Sequence, residues 1–384
     1  MRSLFRSFFQ GGFECSTHRL PEGGGLDLLE TTGHARHPLA DYDAAARHGL
    51  ATVRDGLRWH LIEPRPGEYD WSSLLPQLQA ARMQGTQVIW DLCHYGYPAH
   101  IDPFSPVFPQ RFARFAAAAA TVIRNETGEV PWFCPVNEIS YWSWAGGDMA
   151  LFGPAATERG GELKRQLVRA AIAAMDAIRA VDGRARFVTV DPMIHVTALD
   201  PAEAPLAEAA TLAQFEAWDM LAGRVCPELG GHPDFLDVVG VNYYPHNQWT
   251  LHEGTIWQGE PYYRPMRELL AGVHARYARP VLVAETGAEG DARAPWLRYV
   301  CDEVMAAIQA GVDIEGICLY PITDYPGWFD DRHCPTGLFG VPDPSFLRPL
   351  DFPLAHELAV QRARFADVVD PALSHPAAEA ASNF

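Results

Sequence analysis

The chain has 384 residues, an apolar fraction of 48% and a formal net charge of -18. That length and apolar content supply a sizeable core and suit α/β barrels, which run long as one domain. The acidic balance argues against nucleic acid, whose phosphates it would repel, and against an anionic membrane surface; no apolar run reaches the ~18 residues of a membrane span.

The N-terminal stretch MRSLFRSFFQGG has no sustained apolar segment, so no signal peptide is expected. Strand-like runs follow at 7–14, 51–58, 86–93, 131–137, 186–191, 235–242, 280–285 and 315–321. Several, such as FLDVVGVNYY and PVLVAETG, are almost wholly apolar, as parallel strands covered on both faces should be. Helical spacing alternates with them, near 38–49, 71–84, 109–126, 158–182, 208–222, 263–277, 292–310 and 353–366. The clearest is 158–182, where Leu167, Ala171, Met175 and Ile178 recur on one face and Gly183 stands where a C-terminal cap belongs. Such an alternation predicts a single (β/α)8 TIM barrel over residues 1–370. The small, polar stretch 371–384 reads as a loosely ordered tail.

Seven cysteines are scattered without a CxxC pair, which fits a reducing cytoplasm rather than a disulfide framework. Four of the fifteen histidines, His94, His100, His195 and His246, follow predicted strands. None has metal-ligand spacing, so neither a metal nor a cofactor is expected. Trp142, Trp144, Trp249, Trp257 and Trp328 cluster near strand ends. They read either as stacking platforms for sugar rings or as loop packing.

Two segments carry the chemistry. PWFCPVNE ends at Glu138, and PVLVAETG holds Glu285. Each is an apolar run that stops at a carboxylate. In a parallel barrel, polar residues at strand C-termini face the active site. Two such carboxylates on different strands are what retaining glycoside cleavage uses, one as nucleophile and one as acid/base. We read Glu285 as the nucleophile and Glu138 as the acid/base. The alternative for each is a structural carboxylate at an ordinary turn.

The order of these motifs resembles the retaining β-glycosidases of the (β/α)8 class, and most of all glycoside hydrolase family 1. That family pairs Asn-Glu at strand four, as Asn137-Glu138 here, and its T-E-N-G at strand seven is similar to Ala284-Glu285-Thr286-Gly287. Its strand-two arginine, five residues before a tryptophan, is matched by Arg54 and Trp59. Its strand-three His-Trp is matched by His94-Tyr95. Its strand-six G-V-N-Y-Y stands at Gly240 to Tyr244. The resemblance implies that Arg54 and Tyr244 hydrogen-bond the nucleophile, and that His94 and Asn137 bind sugar hydroxyls. Asn242 belongs to the same support. Arg54 could instead close a structural ion pair, and Tyr244 could be a satisfied core phenol.

Three positions depart from the family. Tyr320 replaces its strand-eight tryptophan. Gly327, before Trp328, replaces a hydroxyl-gripping glutamate. Glu14 is the nearest polar group to its strand-one glutamine. The resemblance therefore implies a small β-glycoside or oligosaccharide as partner, but not an ordinary terminal glucose. Transfer to an acceptor other than water, and sugar binding without turnover, are the alternatives.

Overall fold

The computed structural model describes residues 3–330 and 332–369; the predicted tail 371–384 lies outside them. Eight parallel strands close into a barrel. In chain order they are β1 (Phe9–Gly12), β2 (Thr52–Gly56), β3 (Gln87–Asp91), β4 (Trp132–Cys134), β5 (Arg186–Pro192), β6 (Val238–Asn242), β7 (Val281–Thr286) and β8 (Ile314–Leu319). Each pairs with the next, and β1 closes the ring against β8 and β2. The (β/α)8 fold expected from the sequence is the fold observed.

Side-chain alternation sorts each strand into two cores. Inside the barrel, Ile89, Trp132, Cys134, Val188, Val190, Val238, Leu282 and Ala284 fill the floor beneath the mouth. Outside, Val53, Trp90, Phe133, Val239, Val241, Val281 and Val283 meet the helical layer. Its two longest helices, Phe108–Thr127 and Gly160–Val181, bury Phe112, Phe115, Leu167 and Met175. Among the described residues no helix is long and apolar enough to cross a membrane.

The differences from the sequence reading are local. The strand expected over 131–137 ends at Cys134, because Pro135 has no N–H to extend the ladder. The strand expected from 235 begins at Val238, after a 3₁₀ turn at Pro233–Phe235. The helix expected over 208–222 is two, Ala204–Leu212 and Glu216–Leu221, joined by a 3₁₀ turn. Gly183 is not a left-handed cap: the helix before it leaves through Asp182 in extended conformation (φ -141°). Small sheets absent from the sequence reading surround the mouth. They are the hairpin Thr17–Arg19 with Gly25–Asp27, the pair Tyr325–Pro326 with His333–Cys334, and a set built from His195–Thr197, Gln248–Thr250 and Gly254–Thr255.

Candidate active site

Strand parity carries Arg54, Asp91 and Asn242 into the barrel, each in step with an inward apolar residue or its register partner. Glu285 is different. Leu282 and Ala284 point inward and Val281 and Val283 outward, so strict alternation would send Glu285 outward. A register shift between Val283 and Glu285 against β6, matched against β8, resets the parity. Such bulges re-aim side chains beside active sites. The Ala284 carbonyl accepts from Arg54 Nη1 at 2.9 Å.

Glu285 Oε1 accepts from Arg54 Nη1 at 3.0 Å and Oε2 from the Tyr244 hydroxyl at 2.9 Å. Both oxygens are thus met by donors, an arrangement that suits the anion. Burial holds the Tyr244 phenol well above its ordinary value, with the Glu285 charge adding to the effect, so it stays a donor.

Glu138 follows β4 in a left-handed conformation, φ 47° and ψ 62°. For a residue with a Cβ this costs about 1–2 kcal/mol, and the surroundings hold it there. Its N–H donates to Val190 O at 3.0 Å. The next turn is pinned by Asp191, which accepts from Ser140 N at 3.0 Å and Ser140 Oγ at 2.9 Å. Glu138 Oε1 accepts from Asn242 Nδ2 at 2.8 Å, and Oε2 from the Tyr95 hydroxyl. Burial and the Glu285 charge push the Glu138 carboxyl up to about 8, against the lowering effect of those two donors. Two carboxyls of one cavity thus stand in different surroundings, Glu138 raised by burial and Glu285 between two donors.

Beneath them lies a saturated network. All five N–H donors of Arg54 are committed: Nε and Nη2 to Asp91, Nη2 also to Asn137 Oδ1, and Nη1 to Ala284 O and Glu285. Burial pushes the Asp91 carboxyl up, but Arg54 and His94 outweigh this and hold it low. For His94, burial lowers the pKa, while the bond to Asp91 and the nearby carboxylates reverse the direction. The amide decides which form is present. Arg54 only donates, so Asn137 turns Oδ1 to it and Nδ2 to His94 Nε2 at 3.0 Å. That nitrogen must accept, which leaves a neutral ring with its proton on Nδ1, between Asp91 at 3.1 Å and Cys15 Sγ at 3.2 Å.

Cys15, Asp91 and His94 bring potential ligand atoms within 4.8 Å of one another. Spacing rules along the chain do not see this triad. Both oxygens of Asp91 already face the guanidinium, so the group serves as a hydrogen-bond node. Of the other histidines, His246 reaches the cavity, His100 lies by Glu63, and His195 starts a small mouth strand.

A cavity of about 1220 Å³ opens over the barrel mouth. Glu14, His94, Glu138, Tyr244, Glu285, Tyr320 and Trp328 line it; Arg54, Asn137 and Asn242 stand behind that wall, fully buried. Trp144 and Trp249 also line it, Trp144 with 48% of its surface exposed. Trp142 is core, and Trp257 packs on His246. Tyr320 stacks at 6.1 Å on His94, and Arg54 lies 5.3 Å from its ring centre. Sequence reasoning passed over Tyr95, Asp91 and Asp191 as site residues. A carboxylate at the end of β3 and of β5 was the available signal for two of them.

No protein-family model matches the chain, and no curated protein matches it in sequence. Solved structures do match in fold. A β-glucosidase from Thermotoga maritima in complex with glucoimidazole is similar over 93% of this chain and 99% of its own, with a TM-score of 0.77 and 13% identity. A family 1 β-glucosidase from Thermotoga maritima gives 0.75 at 14% identity, over 94% and 98% of the two chains. A hyperthermophilic β-glucosidase mutant gives 0.75 at 17% identity, over 91% and 98%. At such identities the likeness establishes the (β/α)8 barrel fold.

Proposed function

We propose that the protein is a retaining β-glycoside hydrolase acting on a small β-glycoside or oligosaccharide. One observation carries this reading: two buried carboxyls share a cavity, one held between a guanidinium and a phenol, the other raised to about 8. That division is what double displacement requires. Glu285 attacks the anomeric carbon while Glu138 gives its proton to the departing glycosidic oxygen. The glycosyl ester that forms removes the negative charge on Glu285, so the pKa of Glu138 falls. Glu138 then takes a proton from water, and the resulting hydroxide equivalent attacks the anomeric carbon and frees Glu285. Arg54 and Tyr244 hold the nucleophile, while Asn137 and Asn242 position His94, Tyr95 and Glu138 from behind. Trp144, Trp249 and Trp328 offer ring faces to sugar or aglycone. With all seven cysteines free, the reading extends to a reducing cytoplasm.

A panel of aryl β-glycosides differing in sugar, with released phenol as the signal, tests the reading. Turnover that disappears in Glu285→Ala supports it. A panel with no turnover, or turnover indifferent to both glutamates, overturns it.

A further inference from the structure

The inner end of the cavity holds a carboxylate oxygen that no described residue meets with a donor. A Cβ on Gly12 would lie 2.0 Å from the Tyr320 ring, so the chain leaving β1 runs tight against Tyr320. The next residue on that side, Glu14, enters the cavity wall with 5% of its surface exposed. Its Oε1 accepts from Ser16 N at 3.0 Å and Ser16 Oγ at 2.5 Å. Among the described residues nothing donates to its Oε2.

Among the described residues no arginine or lysine is available to it. Every donor of Arg54 is committed elsewhere. His94 is neutral, its single ring proton held by Asp91 and Cys15. The cationic residues that line the cavity, Lys164 and Arg332, are paired with Glu216 and Glu289. A buried carboxylate left in this way is costly unless something compensates it.

Behind the wall two more buried polar groups have no partner among the described residues. Asn242 Oδ1 is buried without a partner, because the amide spends Nδ2 on Glu138. His18 is 4% exposed, packs against Tyr95 and Trp328 of the cavity wall, and finds no partner for either ring nitrogen. Burial pushes its pKa down to about 4, so the ring is neutral and brings one N–H and one lone pair but no charge. Burial pushes the Glu14 carboxyl up, as expected where no arginine or lysine faces it; a neutral hydroxyl would leave it there, whereas a cation would hold it ionised. An ammonium brings the charge and three donors.

Resting on the glycosidase reading above, we propose that the glycone is an aminodeoxy sugar, its ammonium set against Glu14 Oε2. Glu14 is a specificity determinant on this view, and it does not touch the reacting bond.

The test compares 4-nitrophenyl β-glycosides in which one ring hydroxyl at a time is replaced by a free amine, the parent glycosides, and the same amines acetylated. One free amine should exceed its parent in kcat/KM by about tenfold or more at pH 7. Acetylation, which removes the charge without altering the protein, should abolish that advantage. Glu14→Gln should bring the amine-to-parent ratio close to one. Equal rates for amine and parent, or for amine and acetamide, overturn the proposal and leave the glycosidase reading standing. If nothing in the panel turns over, calorimetric binding of the free amino sugars decides. About tenfold tighter binding than the neutral sugar, lost in Glu14→Gln, upholds the amine site; equal binding ends it.

Discussion

Tyr95→Phe should move the alkaline limb of the pH–rate profile upward. The hydroxyl of Tyr95 donates to Glu138 Oε2 and accepts from Asn137 Nδ2 at 3.2 Å. Removing it leaves the ring in its packing against Phe152, Trp142 and Trp328, and Asn137 keeps His94 as a partner. What is lost is a donor to the charged form of Glu138. A hydrogen bond to an ion contributes about 1.5–3 kcal/mol, which is about one to two pH units at 1.36 kcal/mol each. The direction follows from the causes acting on Glu138: burial and Glu285 raise it, while Tyr95 and Asn242 lower it. Taking away a lowering influence raises the pKa further. In the parent enzyme Glu138 must be protonated to act as acid, so activity falls as pH rises through about 8. In the variant that fall should come about one to two units later, with the rate at pH 7 changed much less than the limb. The assay is initial rate against pH on an aryl glycoside with a poor leaving group, which depends on the proton. An alkaline limb that stays in place or moves to lower pH would refute the assignment of Glu138 as the acid.

Glu285→Ala should abolish turnover and recover it with azide, yielding the α-glycosyl azide by chromatography, whereas Glu138→Ala should keep partial activity on good leaving groups. Arg54→Met would leave Asp91 buried without its cation, so a loss of about 3–5 kcal/mol in chemical denaturation is expected together with loss of activity; a variant as stable as the parent would contradict the network. Gly327→Glu should raise activity on plain glucosides, because a Cβ there clashes only with the tip of the exposed Asp330 side chain, which can turn away; unchanged activity on glucosides would show that the missing glutamate is not the determinant.

The barrel was legible because apolar runs and helical stripes alternate along the whole chain, and burial on both strand faces leaves that imprint. Glu138 and Glu285 were legible as carboxylates ending apolar runs. How they come to face one cavity was not. Glu285 depends on a bulge that overturns its own parity, and Glu138 on a left-handed backbone beyond Pro135. Neither is encoded in residue periodicity. Asn137 stood out as a direct sugar contact, yet it stands behind the cavity wall with its amide spent on Arg54, His94 and Tyr95. The grouping of Cys15 with Asp91 and His94 joins residues far apart in the chain, and spacing motifs are blind to it. Glu14 stood out as the polar group nearest the family's strand-one glutamine and as a candidate sugar contact; that its Oε2 meets no donor among the described residues emerges only from the structure.

The most direct measurement is to incubate the enzyme with an activated β-glycoside fluorinated beside the anomeric carbon, quench, and map the modified peptide by mass spectrometry. The added glycosyl mass should fall on Glu285. Label on Glu138, or continued turnover with inverted product and no label at all, would contradict the double-displacement mechanism.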